Sequence, residues 1–337
     1  NGKILISEFF YYLIILFPKG LFIGAYIFFF NKDLKDFYYR AWLSFFRWNN
    51  FVNFFSSNKY VVYHNYQEDH ILRNIILKKN KFIVVHYKHT SSENIFNYRL
   101  KDKYNISDQA FLFYDKEFHQ TKQSIEMSNQ NISLTNEKIV CGPTMINKKI
   151  NFAEKKKEIV FFNSTFSDGS AANPKEAHYN FLKLINTALD NFDYDFVLKS
   201  KKKFELYENY DSDFKMIAEK LKKNKRLKII DYPIDLFNLI SSSDLSIHMA
   251  FASTGIIALD QKKKFFFVDS LNYFKNSYYS KFNKENFISL SINQSIELID
   301  YYLKIPQLDY ENLRNNCFVE TFGPSYKNDN NILYNEI

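Results

Sequence analysis

Glycine is scarce here, with seven in 337 residues. No GxGxxG run and no Walker-type phosphate loop can be assembled from so few, which argues against a dinucleotide cofactor and a P-loop NTPase. Each glycine that remains marks a backbone need. Cysteine is scarcer still. Cys141 and Cys317 lie far apart, so neither a disulfide framework nor a paired-cysteine zinc site follows. A reducing compartment, and hence a cytoplasmic location, is the default. A long uninterrupted apolar run is also missing. The most apolar stretch, residues 4–30, is broken by Glu8 and by Pro18-Lys19-Gly20. Its two halves, 9–17 and 21–30, each fall short of the roughly 20 residues a spanning helix needs. No cleavage site follows it, which argues against a signal peptide. Basic residues are scattered and no nucleic-acid-binding motif appears, so no nucleic acid partner is expected. The chain begins at Asn1 rather than Met, as a processed or trimmed chain does.

What is present is the composition of a packed protein, 46% hydrophobic and 24% charged. Its 37 Phe and 25 Tyr, with the taste for Lys, Asn and Ile, read as the imprint of an A/T-rich genome. The net charge of +8 fits an anionic partner such as a nucleotide or anionic lipid, or lysines that merely solubilise an aromatic-rich surface. The length exceeds one ordinary core and predicts two domains. Three readings stay open for the apolar stretch 4–30: core helices on the first domain, a membrane-surface element, or a kinked span. Arg40, Trp42, Arg47 and Trp48 suit a lipid headgroup region or a domain surface equally.

From about residue 58 onward, short apolar strands alternate with helical periods. Strands are expected at 60–63, 82–87, 110–114 and 138–141, with helices at 69–79, 93–103 and 117–128. After a polar stretch at 147–157, a second series predicts strands at 158–162, 195–199, 227–230, 245–249, 265–268 and 287–290. Its helices fall at 176–189, 213–223, 233–240, 255–259 and 295–303. This alternation is the signature of βαβ units on parallel sheets. The expected fold is α/β, two Rossmann-like domains facing a cleft. Residues 1–58 form an apolar helical segment, 59–150 the first domain and 151–337 the second. Ligands of such sheets bind beyond the carboxyl ends of the strands, so chemistry is sought there.

Five stretches qualify. Ala250-Phe251-Ala252-Ser253-Thr254-Gly255 joins a strand to a helix, where backbone N–H groups, hydroxyls and the helix dipole suit a phosphate; the alternative is a plain N-cap. Asn163-Ser164-Thr165 leaves the first strand of the second domain and is either a cleft loop or a surface loop. His64, Glu68, Asp69, His70 and Arg73 crowd a strand-to-helix junction. They offer proton-transfer groups, or else simply acids at a helix start. His86, Lys88 and His89 end the next strand, with His86 and Lys88 on one face and His89 on the other. A zinc site from His64, His70 and His89 lacks the usual spacing, so no metal is expected. Lys199 could meet a phosphate as a point charge, Tyr232-Pro233 could frame a base, and Asp269 could reach a sugar; each also has a plain turn or loop reading. His248, inside a strand, reads as a core histidine.

Together these residues carry a resemblance. Ser243-Asp244-Leu245 through Gly255, then Ala258-Leu259 and Lys264 to Asp269, resemble the donor half of GT-B glycosyltransferases, and more narrowly the bacterial surface-carbohydrate biosynthesis proteins of that fold. Tyr66 to Asn74 and His86 to Thr90 resemble the first-domain part of the same group. The resemblance covers most of residues 58–325. It implies a donor phosphate at Ser253, Thr254 and Gly255 and acceptor chemistry at Glu68–His70. Ser164, Thr165 and Lys199 would assist the phosphate, while Tyr232, Pro233 and Asp269 would hold base or sugar. His64, Arg73 and His89 would line the acceptor side. The chain departs from the pattern in two places: the donor-side glycine-rich loop is reduced to Asn163-Ser164-Thr165, and no paired-acid ribose signature is evident.

The function expected from this is transfer of a sugar from a nucleotide-sugar donor to a surface-polysaccharide or glycolipid acceptor, with a CMP-linked acidic sugar as one donor. The nucleotide sugar is a substrate and no cofactor is expected. Alternatives are a nucleotide-sugar epimerase, a glycerophosphate-type transferase, and a non-catalytic binding module of polysaccharide assembly. Membrane-surface contact through residues 4–30 would put the protein on the inner face of the cytoplasmic membrane.

Overall fold

The computed structural model describes residues 17–30, 35–54, 57–62, 68–88, 111–129, 132–133, 135–143, 156–166, 174–250, 252–272, 282 and 286–323. Two helices open it, α1 (Phe17–Phe30) and α2 (Lys35–Phe54). Pro18 sits in the first turn of α1, where its missing N–H costs no hydrogen bond. A four-stranded sheet follows, in the order β1 (Lys59–Val62), β2 (Ile83–Tyr87), β4 (Lys116–His119), β6 (Glu137–Val140), and every pair is parallel. Helix α3 (Glu68–Lys79) connects β1 to β2, and α4 (Lys122–Ser128) lies between β4 and β6. The short strands β3 (Phe111–Leu112) and β5 (Ile132–Ser133) pair with each other.

The C-terminal half of α2 packs on this domain. Trp48 is buried, and its ring meets Phe51 and Tyr60 edge-on. Phe51 and Val52 cover a small core of Val62, Leu77, Phe82, Val84 and Tyr114. The sequence pattern over 117–128 suggests one helix, but its first residues form β4. The helix expected at 93–103 lies outside the described residues.

The second sheet has six parallel strands. They are β7 (Glu158–Phe162), β8 (Asp195–Lys199), β9 (Leu227–Ile230), β10 (Leu245–Met249), β11 (Phe265–Val268) and β12 (Ile288–Ser289). Their spatial order is β9-β8-β7-β10-β11-β12, which is the doubly wound 3-2-1-4-5-6 arrangement. All five residues of β10 and all four of β11 are buried, as expected of strands covered on both faces, β11 as a continuous apolar run and β10 with Ser246 and His248 among its apolar residues.

The helices are α5 (Lys175–Asn191), α6 (Glu205–Glu208), α7 (Ser212–Lys223), α8 (Leu236–Ser242), α9 (Ser253–Asp260), α10 (Ile292–Lys304) and α11 (Gln307–Phe322). Helix α7 shows how locally they are specified. Asp211 caps it by accepting from Asp213 N and Phe214 N, and Lys220, Lys222 and Lys223 close it at the negative end of its dipole. Phe214, Ile217, Ala218 and Leu221 form its buried stripe. Helices α5, α7 and α10 pack together, as do α8, α9 and α11. Each buried Phe of this core stabilises it by about 1.5–3 kcal/mol through area removed from water.

Helix α11 does two further jobs. Arg314 donates to Leu259 O at 2.7 Å, tying α11 to the end of α9. Near its other end Glu320 O accepts from Gln123 Nε2 of α4 at 2.8 Å, so the C-terminal helix touches the first domain. Gly323 terminates it at φ 92°, and its N–H donates to Val319 O at 2.8 Å.

Candidate functional site

In this strand order the topological switch point lies between β7 and β10, where the chain winds away in opposite directions. The loop after β7 carries Asn163, Ser164 and Thr165, and the loop after β10 leads into Ser253 and Thr254. Ser164 N donates to Met249 Sδ at 3.5 Å, which sets the β7 loop against the last residue of β10.

Helix α9 starts without a side-chain cap, its N-cap being Ala252. Helices α7, α8 and α10 are capped by Asp211, Asp235 and Ser291, while α5 and α11 enter through prolines. Ser253 and Thr254 therefore occupy a first turn without a capping side chain, in which Gly255 N donates to Ala252 O at 3.0 Å. The Thr254 hydroxyl is engaged from below, with Oγ1 2.8 Å from His248 Nδ1. The other ring nitrogen, Nε2, lies 2.9 Å from Ser246 Oγ. His248 is thus a satisfied core histidine, stacked on Phe162 and pushed down to about 3 by burial.

Gly255 has a packing reason. A Cβ there would meet Phe267 Cε1 at 2.3 Å, so glycine is what lets α9 lie on β11.

Ser164 is held by a buried polar chain that reading the sequence missed. Its Oγ lies 3.4 Å from His178 Nε2, and His178 Nδ1 lies 2.9 Å from the Tyr207 hydroxyl. Asn163 Nδ2 donates to that hydroxyl at 2.8 Å and to Ser200 Oγ at 2.9 Å, while its Oδ1 accepts from Lys201 N at 2.8 Å. Burial lowers His178 to about 4, so the imidazole is neutral, and burial raises Tyr207. The available signal was a histidine on the apolar stripe of α5, in a chain with seven histidines.

The remaining candidates spread along the same carboxyl edge. Asp269 follows β11 and is buried, with its N–H on Ser289 O. Lys199 ends β8, next to β7. Its ammonium donates to Ser200 O at 2.6 Å, and burial lowers its pKa against the pull of Asp231. Tyr232 and Pro233 follow β9, and Tyr232 is 54% exposed. They stand three strand spacings from β10, about 14 Å, and so do not join the switch point directly.

A family model described as polysaccharide biosynthesis PFTS motif protein matches residues 34–291. The chain belongs to that family. No curated protein matches it in sequence. Among solved structures, the UDP-GlcNAc 2-epimerase of Methanocaldococcus jannaschii, crystallised with UDP-GlcNAc and UDP, superposes with a TM-score of 0.51 at 13% identity, over 88% of this chain and 79% of that one. The wall teichoic acid polymerase TagF gives 0.47 at 13% identity, over 83% and 72%. A trehalose-phosphate synthase of Burkholderia vietnamiensis gives 0.47 at 7%, over 87% and 76%. The shared fold is the GT-B pair of Rossmann-like domains.

In the first domain of this PFTS-motif protein, Glu68 and Asp69 begin α3 at the carboxyl end of β1; their side chains lie outside the described residues, as do His64 and His89. His70 is half-buried. Arg73 does not line an open surface. It is buried, with its guanidinium 5.6 Å from the Trp48 ring and 5.4 Å from that of Tyr60, and Nε donating to Asn74 Oδ1 at 3.0 Å. An arginine at the sixth position of an amphipathic helix reads as surface from sequence; here aromatic rings from α2 and β1 cover it. Among the described residues, no group of three or more His, Cys, Asp or Glu is arranged to hold a metal.

The sheet of this domain carries a polar row that sequence periodicity did not reveal. His86, Glu117 and Lys138 stand in register on β2, β4 and β6. Glu117 is fully buried. Its Oε1 lies 3.4 Å from His86 Nδ1, and its Oε2 lies 3.6 Å from His119 Nε2 and 4.0 Å from Lys138 Nζ. Ser128 Oγ donates to Oε2 at 3.5 Å. Burial alone would raise the carboxyl, but the hydrogen bonds and charges of His119 and His86 outweigh it and hold Glu117 ionised, well below the usual range. Burial brings His119 down to about 4.

Proposed function

We propose that this protein is a glycosyltransferase of polysaccharide biosynthesis that binds its nucleotide-sugar donor on the second domain. The donor phosphates rest on the first turn of α9, at Ser253 and Thr254, and Ser164 closes the site from the β7 loop. The observation that carries this reading is a helix start without a side-chain cap after β10, at the switch point of a doubly wound sheet, with Ser164 of the adjoining β7 loop set against Met249 at the end of β10 and held by a buried hydrogen-bond chain. Helix N–H groups and dipole offset charge on the leaving phosphate, and Lys199 adds a cation from the neighbouring strand. The acceptor oxygen attacks the anomeric carbon as the bond from that carbon to phosphate oxygen breaks. The acceptor proton passes to Asp69, Glu68 or His70 at the start of α3. Family membership supports the polysaccharide setting.

A thermal-shift series with CMP, CDP, UDP, GDP and ADP tests the donor site. A ligand bound only by the folded state raises the melting temperature, by about 2.7 kcal/mol of stabilisation at a hundredfold excess over its dissociation constant. One nucleotide should give a clear shift that Ser253→Ala/Thr254→Ala abolishes. No shift with any nucleotide, in folded protein, overturns the assignment. Turnover of a nucleotide sugar without an acceptor would instead identify an epimerase.

A further inference from the structure

We propose that the α1–α2 pair docks the protein on an anionic lipid surface, with α1 lying within one leaflet. Helix α1 is built the wrong way round for water. Among residues 18–26, whose side chains are described, Gly20 and Gly24 are the buried positions, four residues apart and so on one helix face. Gly20 lies so close to Trp42 of α2 that a Cβ would overlap the indole. The apolar side chains point away: Phe22 is 78% exposed, and Leu21, Ile23 and Tyr26 are exposed beside it. On α2, Tyr39, Leu43 and Phe45 are exposed as well. A helix in water turns its apolar stripe to its neighbour. Here the glycines make the protein contact and the large side chains are left for another apolar phase, as in helices packed inside a bilayer.

Charge and length identify that phase. Across residues 17–54 the sequence holds Lys19, Lys32, Lys35, Arg40 and Arg47 against Asp33 and Asp36. Lys19, Arg40 and Arg47 are exposed, which suits anionic headgroups. Tyr26 and Tyr39, and Trp42 beside them, are residue types that favour the headgroup level. The fourteen residues of α1 extend about 21 Å, short of the roughly 30 Å hydrocarbon core, and no described helix is long and apolar enough to cross a membrane. The stretch at 9–17, which runs into it, is equally apolar in sequence. A polymerising or transferring enzyme held at such a surface meets lipid-linked acceptors there, although the docking stands apart from the donor-site reading.

Flotation of the full chain with vesicles of phosphatidylglycerol and phosphatidylethanolamine, against vesicles of phosphatidylcholine alone, tests this. The protein should float with the anionic vesicles, and raising salt should reduce its partition. Phe22→Glu/Ile23→Glu, at exposed positions, should lower the partition at least tenfold while the melting temperature stays within a degree or two of the parent. Lys19→Glu/Arg40→Glu should abolish the preference for anionic over neutral vesicles. The proposal is overturned if the parent stays unbound, if the folded Phe22→Glu/Ile23→Glu variant floats as well as the parent, or if that variant instead dissolves a dimer of lipid-free protein, which would make the face a contact between copies.

Discussion

The two sheets of this molecule solve the same packing problem with different materials. The second is filled by one continuous apolar core that runs from Ile159 and Phe161 through Phe196, Ile247 and Phe266 to Tyr302. The histidines buried in it, His178 and His248, are neutral and hydrogen-bonded, and its buried Arg314 donates to a backbone carbonyl. The first sheet has two small apolar clusters, around Val84 and around Val85 and Phe118. His86, Lys88, Glu117 and His119 are buried among them. An apolar core tolerates loss of one group by partial relaxation. A buried charge cluster holds only while every charge keeps its counterpart. The first domain should therefore be the more fragile, and fragile in a different way.

The largest effect should come from Glu117→Ala. It removes the carboxylate that His86, His119 and Lys138 share, and breaking a buried pair from one side costs about 3–5 kcal/mol. Both tryptophans of the chain, Trp42 and Trp48, lie in α2, and Trp48 packs on the first domain. Urea unfolding followed by tryptophan emission thus reports the first domain, and hydrogen exchange of the β10 and β11 amides reports the second. The emission midpoint should move strongly and the second transition little. Equal shifts in both would mean that the domains unfold as one unit through α11, and the contrast would fail.

Why the second domain was the more legible follows from the same difference. Strands Glu158–Phe162, Asp195–Lys199, Leu227–Ile230, Leu245–Met249 and Phe265–Val268 have the bounds expected from sequence, because short apolar-rich stretches between helical periods mark them and most of their residues are buried. Strand β4 reads Lys-Glu-Phe-His, three polar residues of four, and looks like the opening turn of a helix. Only tertiary neighbours on β2 and β6 make it a strand, so Glu117 and His119 could not be seen as core. The same limit applies to His178 and Tyr207, which meet across 29 residues of sequence. Ser164, Ser253 and Thr254 were legible as strand-end residues because α/β topology alone decides where such ends go. The reach of Arg73 toward Trp48 was not, since α2 sits on the first domain by packing that no local pattern encodes.

Acid should sharpen the contrast at intermediate size. His178 has a folded-state value lowered to about 4, below its unfolded value near 6.5. As pH falls through 6.5 the unfolded chain takes the proton first, so the neutral imidazole's contribution is complete above that pH and is lost down to about 4. The slope is about 1.4 kcal/mol per pH unit, or roughly 3 kcal/mol across the window. His248 adds the same sign in the second domain, and His119 does so in the first. His178→Gln removes one titrating group. It should flatten the pH dependence of the second-domain transition between pH 6.5 and 4 without altering the emission midpoint. An unchanged slope would mean that His178 is not held neutral in the folded state.

The smallest effect separates packing from ligand contact at the switch point. Gly255 was expected to approach the donor phosphate, yet its Cβ position is filled by the Phe267 ring. In Gly255→Ala, the methyl group must displace that ring inside a close-packed core, which costs about 1–3 kcal/mol. The second-domain melting temperature should fall, while any nucleotide that shifts the parent should still shift the variant, because the N–H groups of Ser253 and Thr254 precede the altered position. The reverse outcome, stability kept and the nucleotide response lost, would make Gly255 part of the phosphate cradle. It would also show that the Phe267 ring can yield to a single methyl group without loss of stability, as a relaxing apolar core allows.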